Sequence, residues 1–141
     1  MIDVESKVFD TVYNSLILLM PDVNVTAGYD PSTAVYPTVT VSETGNVPVA
    51  SMNTDDCAEN HTRLTYEIYA ISNKQDTGRS ECKAIIDAVD GIMQGMKFRR
   101  IHKNAPVNIN RTLWRMYARY EVIVGKPVEI DGDTVYQMYR R

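Results

Sequence analysis

"HTRLTYEIYAISNKQDTGRSECKAIIDAVDGIMQGMKFRR", residues 61–100, changes its hydrophobic period once, and that change decides the fold. Over 61–73 apolar and polar residues alternate, which predicts a strand buried on one face. From about residue 77 to the predicted stop at Gly95, apolar residues recur every three to four positions, which predicts an amphipathic helix. The core-facing residues are Leu64, Tyr66, Ile68 and Ala70 on the strand, and Cys82, Ile85, Ile86, Val89, Met93 and Met96 on the helix.

The segments before this stretch repeat both patterns. An N-terminal helix is predicted to end before Pro21, because a proline ring blocks continuation. Residues 35–46 alternate again and predict a second strand, with Pro37 near its start, where no ladder donor is needed. The helix presents Val4, Val8, Val12, Leu16 and Leu19 to the core; the strand places Val35, Val39 and Val41 on one face and Tyr36, Thr38, Thr40 and Ser42 on the other.

After residue 100 the pattern is that of strands. A strand beginning at Lys97 is predicted to break at Pro106, and residues 112–124 form the longest alternating run. Asp131-Gly132 supplies the positive φ angles of a tight turn, so the chain is predicted to end in a hairpin.

These elements predict a single α+β domain over residues 1–141. We expect an antiparallel or mixed sheet of about four to five strands, with two helices packed on one face and a C-terminal hairpin. Residues 43–60 lose the alternation and are interpreted as a polar loop, and residues 126–141 as a hairpin extension.

Composition restricts the function. A chain of 141 residues with a net charge of −3 can bury its own core and creates no global field that attracts nucleic acid or membranes. Its apolar runs fall short of the roughly 20 residues that span a bilayer. We therefore expect no membrane partner. Cys82 is predicted to be a buried thiol, and Cys57 an exposed one.

Candidate catalytic and metal-binding residues are sparse. The two histidines, His61 and His102, stand outside any nucleophile signature, and with the two cysteines they lack the tight spacing of a zinc finger. The acidic segment 55–59 lacks the regular ligand offsets and turn glycine of a calcium loop. We expect no enzyme activity, no cofactor and no metal.

One dense basic run is present, formed by Lys97, Arg99, Arg100, His102 and Lys103. Arg111, Arg115 and Arg119 extend it to Lys97–Arg119 if the strands pair. One interpretation is a phosphate-contacting strip of a small nucleic-acid-binding module. The other is a solvated sheet face on which Glu67 and Glu121 balance the arginines across strands.

The order of several short motifs carries a resemblance. "YPTVTVSE", "LTYEIYAISN", "GRSECKAIIDAVDGIM", "KFRRI", "PVNIN" and "WRMYARYEVIV" follow one another between residues 36 and 124. In this order they resemble the tail-terminator, or tail-completion, proteins of long-tailed bacteriophages. The matching positions are Tyr36, Pro37, Val39 and Val41; Ile71, Ser72 and Asn73; Val89, Asp90 and Met93; Phe98, Arg99 and Arg100; Pro106, Asn108 and Asn110; Arg115, Arg119 and Tyr120.

The resemblance implies a structural virion protein at the head–tail junction, assembled in the bacterial host cytoplasm. Such a protein forms a ring, typically of six subunits, that caps the tail tube and joins it to the head connector, with DNA at most passing through. The polar segment 43–60 and the chain after Gly125 depart from the family pattern. A different neck ring of the head-closure type therefore stays open as an alternative.

A ring subunit needs surfaces that contact its neighbours, so apolar residues outside the predicted core are candidates for these contacts. Tyr36, Tyr69 and Tyr117 lie opposite the core pattern of their strands, and the terminal hairpin is too apolar for a free tail. The candidate subunit or partner interface is Tyr36, Tyr69, Tyr117, Val135, Tyr136, Met138 and Tyr139, and the candidate DNA-channel strip is Arg99, Arg100 and Lys103.

Overall fold

The computed structural model describes residues 4–28, 35–49, 61–109 and 113–125, and the backbone of three short strands between residues 128 and 139. The elements, in chain order, are α1 (Glu5–Leu19), β1 (Asn24–Thr26), β2 (Thr38–Pro48), β3 (His61–Ser72), α2 (Gly78–Gly95), β4 (Arg99–Lys103), β5 (Val107–Ile109), β6 (Leu113–Gly125), β7 (Val128–Ile130), β8 (Asp133–Val135) and β9 (Met138–Tyr139).

The sheet is mixed, as the alternating segments predicted. Its main path runs β1-β2-β3-β6-β4; β1 is parallel to β2, and the other pairs are antiparallel. At its centre β3 and β6 pair from His61↔Gly125 to Ser72↔Trp114. The short strands β5 and β9 extend the edge along which β4 pairs with β6. The predicted α+β class is confirmed.

Both helices cover one face of this sheet. The helical spacing of α1 and α2 brings one stripe of each helix against the alternate residues of β2, β3 and β6. Within this core the Tyr66 ring meets Phe98 edge-on at 5.4 Å. Most of the predicted inward residues are buried: Val4, Val8, Val12 and Leu16; Val39 and Val41; Leu64, Tyr66, Ile68 and Ala70; Cys82, Ile85, Ile86, Val89 and Met93. On β6 the alternate residues Met116, Ala118, Tyr120, Val122 and Val124 are buried as well. The core assignment was wrong for Leu19, which ends α1, and for Val35, which precedes β2, since they are 63% and 64% exposed; Met96, at the C-cap of α2, is only partly buried.

The second strand is shifted relative to its sequence-based prediction. β2 begins at Thr38, directly after the cis Tyr36–Pro37 bond, so Tyr36 precedes the strand. It continues to Pro48, so the predicted polar loop 43–60 begins too early. The reason is a register shift between Glu43 and Gly45, which interrupts the alternation while the backbone stays paired with β3. Residues 50–60 lie outside the described part of the chain.

The end of α2 also differs from its prediction. The helix includes Gly95, and the left-handed position is Lys97, with φ of 74°. The Phe98 amide donates to the Met93 carbonyl at 3.1 Å, the 6→1 bond of a Schellman stop. At the other end Thr77 is the N-cap, but its side chain makes no capping bond.

The predicted C-terminal hairpin is present in the backbone. Ile130 is opposite Asp133, as a hairpin requires, and the predicted Asp131-Gly132 turn itself lies outside the described residues. β9 then pairs with β6, Ile123 opposite Tyr139. Four candidate interface side chains in this segment lie outside the described residues: Val135, Tyr136, Met138 and Tyr139.

Candidate interaction face on the outer side of the sheet

The helices leave one side of the sheet without a helical layer. Since successive side chains of a strand point to opposite faces, the residues between the core positions of β2, β3 and β6 form this second side. We call it the outer face, and its central members are Thr40, Ser42, Glu67, Tyr69, Ile71, Arg115, Tyr117, Arg119 and Glu121.

An aromatic pair stands at the centre of the outer face. Tyr69 and Tyr117 are directly opposite each other in the β3–β6 register, with ring centroids 5.3 Å apart. The His102 ring lies 5.4 Å from Tyr117, and the Arg115 guanidinium lies 5.5 Å from the centroid of Tyr69. Strand pairing thus brings together two of the predicted interface residues, while Tyr36 lies before β2.

Asn104 fixes the position of this pair. The Asn104 side-chain oxygen accepts a hydrogen bond from the backbone N–H of Tyr117 at 2.7 Å, and the backbone N–H of Asn104 donates to the Tyr117 carbonyl at 3.2 Å. Asn104 follows the end of β4, so it continues the pairing of β6 between β4 and β5. An amide side chain at this break, near Pro106, keeps the backbone under Tyr117 hydrogen-bonded.

Beside the aromatic pair is an open groove of about 240 Å³. Its surface is mainly apolar, with Ile71, Ile109 and Leu113 supplying aliphatic groups. Arg115 lies on its rim and forms no ion pair with any described carboxylate. The complete lining is Thr40, Ser42, Tyr69, Ile71, Ile109, Leu113 and Arg115.

The other charges of the outer face are paired across strands. Arg119 donates to one Glu67 oxygen from Nε at 3.0 Å and from Nη2 at 2.5 Å. Glu121 lies between Arg63, at 3.8 Å, and Arg99, at 3.4 Å. The Glu67 hydrogen bond raises the pKa of Arg119, and burial followed by the charge of Glu67 raises the pKa of Tyr69. This part of the face therefore has little unbalanced charge.

The candidate basic strip does not form one surface. Arg99 pairs opposite Glu121 on the outer face, whereas Arg100 is opposite Tyr120 and contacts Asp90 of α2 at 3.2 Å. Asp90 also accepts the Tyr120 hydroxyl at 2.9 Å. A register shift between Arg100 and His102 contributes to this separation, and Lys103 is opposite the core residue Ala118.

The side chains that a metal ion needs are not brought together in the described ranges. No group of three or more His, Cys, Asp or Glu side chains is close enough to hold a metal ion there; Cys57 and the acidic segment 55–59 lie outside. Cys82 is buried as predicted, with its thiol 3.5 Å from the Ala70 carbonyl and 3.4 Å from that of Trp114. Burial raises the pKa of Cys82 to about 11, which keeps the thiol protonated and unreactive.

No family model and no curated protein matches the sequence. Within the described residues neither helix combines the length and the apolar content that crossing a membrane requires.

The groove was missed by the sequence analysis. Its walls come from β2, β3, β5 and β6, and Ile109 and Leu113 become neighbours only because β5 folds back on β6. The signal that was present is the apolar residue Ile71 on the polar side of an otherwise regular alternation.

Proposed function

We propose that the chain is a non-enzymatic ring subunit that caps the tail tube of a long-tailed bacteriophage and joins it to the head connector. The observation that carries this proposal is the outer face, where a half-buried aromatic pair and an apolar groove stand on strands whose other side is already filled by helices. Aromatic and aliphatic groups of this kind are typical of the centre of a protein interface.

The motif positions of the resemblance fall on elements in the expected order. Tyr36-Pro37 directly precedes β2, Ser72 ends β3, and Arg99 begins β4. Tyr120 is on the longest strand, β6, with Arg115 and Arg119 on its opposite face. This agreement supports a common fold, and with it the expectation of a homo-oligomeric ring, typically hexameric, at the head–tail junction of the virion.

Strand edges offer further assembly surface. β1 pairs with β2 only between Thr38 and Thr40, so the rest of β2 has no described strand on that edge. The outer edge of β4 is likewise unpaired by any described strand. Such edges are places where a neighbouring copy, the tail-tube protein or the head connector can add backbone hydrogen bonds.

The paired cations argue against tight nucleic-acid binding. Arg99, Arg100 and Arg119 each contact a carboxylate, and the whole chain is acidic. In the proposed ring, DNA passes through without being held, because release of condensed counterions needs cations that are free to replace them.

A joining experiment tests the proposal. The gene for the chain is inactivated in the phage genome that encodes it, and heads and tails are isolated from cells producing this mutant phage. Purified wild-type protein is then added to the separated heads and tails. We expect joined, infectious particles with wild-type protein and with Tyr117→Phe, a variant that keeps the aromatic side chain. Tyr117→Glu places a charge in the aromatic pair, so we expect it to fold by circular dichroism but leave heads and tails separate.

Two results would contradict the proposal in different ways. If wild-type protein leaves heads and tails unjoined, the proposed function is wrong. If folded Tyr117→Glu joins them at the wild-type rate, the aromatic pair is not part of the contact.

A further inference from the structure

The C-terminal end of α1 exposes two leucines. Leu18 is 85% exposed and Leu19 is 63% exposed, so Leu18 is the most exposed large hydrophobic side chain of the described residues. Leu16, two residues before Leu18 and on the opposite side of the helix, is fully buried. Adjacent exposed leucines at a helix end are an apolar patch that another protein surface can cover.

The same helix end is electrically negative. The last carbonyls of a helix carry partial negative charge, and the last turn of α1 has no basic residue to balance it. Asp22, which follows directly and is exposed, adds a full negative charge and forms no ion pair with a described residue. Lys74 is attracted electrostatically by Asp22, but the Lys74 ammonium forms its ion pair with Glu81, at 2.6 Å.

The groove on the outer face has the complementary properties. Ile71, Ile109 and Leu113 give it an apolar lining, and Arg115 on its rim has no described carboxylate partner. The Arg115 guanidinium lies over the Tyr69 ring, 5.5 Å from its centroid, and the residue is exposed, so its hydrogen-bond donors are accessible to acceptors on another molecule.

We propose that the end of α1 in one copy of the chain docks into the outer-face groove of a second copy. Leu18 and Leu19 fill the groove, and Arg115 contacts Asp22 and the terminal carbonyls of the docked helix. The inference names the subunit contact of the ring and rests on the proposed function for its biological role, whereas the contact itself is testable with the purified chain.

The contact has to be between copies. The buried stripe of α1 belongs to the core on the inner face of the sheet, and the groove is on the outer face, so the sheet separates Leu18 from the groove of its own chain. The two surfaces also differ from each other, which makes the contact head-to-tail. Such contacts continue from copy to copy and close into rings when the rotation allows.

Sedimentation velocity over a concentration series, with native mass spectrometry, tests the contact. We expect the wild-type chain to form species larger than a dimer, because a head-to-tail contact leaves a free groove and a free helix end on every pair. Leu18→Glu and Arg115→Glu should each weaken association at least tenfold. Tyr13→Glu is the matched control, since Tyr13 is 41% exposed in the middle of α1, away from the free strand edges and from the groove, and this variant should associate as wild type.

A charge exchange separates this contact from general damage to the fold. Asp22→Lys alone should also weaken association at least tenfold. Mixing the Asp22→Lys and Arg115→Glu proteins should restore it, because each groove then meets an end of opposite charge. A wild-type chain that stays monomeric at every concentration, or that stops at a dimer, overturns the inference. So do single variants that assemble as wild type, or a mixture that gains nothing.

The joining experiment distinguishes failure of this contact from failure of the proposed function. Suppose that the wild-type chain associates, that the variants weaken this association as expected, and that the wild-type protein still leaves heads and tails unjoined. The contact is then retained and the proposed function is rejected. Joining at the wild-type rate by Arg115→Glu and by Leu18→Glu retains the function and rejects the contact.

Discussion

The two faces of the sheet are built from the same strands and carry opposite chemistry. On β3, Ile68 is fully buried beneath the helices, whereas its neighbour Tyr69 is half-buried on the outer face, against Tyr117 and Arg115. On β6 the inner Tyr120 is buried and its hydroxyl donates to Asp90, while the outer Arg119 and Glu121 form ion pairs. Packing alone accounts for the inner face, and the association proposed above would account for the outer one.

The difference between the two faces separates residues that stabilise the folded chain from residues that are accessible to another protein. Burial of aliphatic groups stabilises the folded chain in proportion to the area removed from water, and the inner face contributes most of that area. Most side chains on the outer face are partly solvated, with Ile71 and Thr40 as buried exceptions, so replacement of the solvated ones should change association more than folding. Variants on the two faces can therefore be compared directly.

The largest effect is expected on the inner face. Ile68→Ala leaves a cavity in the core, and we expect it to lower the free energy of unfolding by about 2–5 kcal/mol. Tyr69→Ala, one residue away, removes a half-buried ring and should cost about 1 kcal/mol. Urea denaturation followed by circular dichroism measures both. Equal losses would mean that the outer face contributes to the fold as much as the core does.

A smaller effect is expected where α2 begins against β6. A Cβ at Gly78 would lie 2.5 Å from a ring carbon of Trp114, so Gly78→Ala should lower stability by about 1–3 kcal/mol. Gly91, in the middle of α2, has no atom within 4 Å of its missing Cβ. Gly91→Ala should therefore raise stability by about 0.5–1 kcal/mol. Thermal unfolding of the two variants checks the opposite signs; a neutral Gly78→Ala would show that Trp114 can move aside.

The division into faces was predictable from sequence, because the period of two in residues 61–73 and 112–124 assigns each side chain to a side. Two local irregularities were not. The register shift at Glu43–Gly45 hides the continuation of β2, and the shift at Arg100–His102 puts Lys103 on the side of the sheet opposite Arg99. A period count has no signal for an extra residue.

The groove was beyond sequence reasoning for another reason. It requires β5 to lie beside β6 and Ile71 to reach the same place from β3, which are contacts between distant parts of the chain. The end of α2 illustrates the same limit on a local scale. Gly95 was the expected stop, yet the left-handed position fell on Lys97, because the packing of Phe98 in the core determines where the chain leaves the helix.

Alkaline pH should act through the inner face. Burial raises the pKa of Cys82 to about 11, and burial with the Asp90 hydrogen bond raises the pKa of Tyr120 above its ordinary value. The folded chain thus keeps the Cys82 proton at a pH where the unfolded chain, with an ordinary thiol pKa of about 8.5, has released it, and the same holds for Tyr120 above its ordinary pKa of about 10. Stability from Cys82 is fully present below about pH 8.5 and declines as the pH rises towards 11.

Urea denaturation at a series of pH values checks this sign. We expect the free energy of unfolding to fall between pH 8.5 and 10.5, by at most about 1.4 kcal/mol per pH unit for each titrating group. Cys82→Ala lowers stability at every pH but should flatten this decline, because the titrating group is gone. A Cys82→Ala variant with an unchanged slope would assign the decline to other groups.

The smallest effect is expected from the ion pair of the outer face. Arg119 donates two hydrogen bonds to one oxygen of Glu67, but the Arg119 side chain is 40% exposed, so solvent screens the attraction. A double-mutant cycle with Glu67→Gln and Arg119→Met should give a coupling free energy of about 0.2–1 kcal/mol, reduced at high salt. A coupling above about 2 kcal/mol that salt leaves unchanged would show that this pair is shielded from water. The outer face would then stabilise the folded chain as a second core does, and its side chains would be less accessible to another protein.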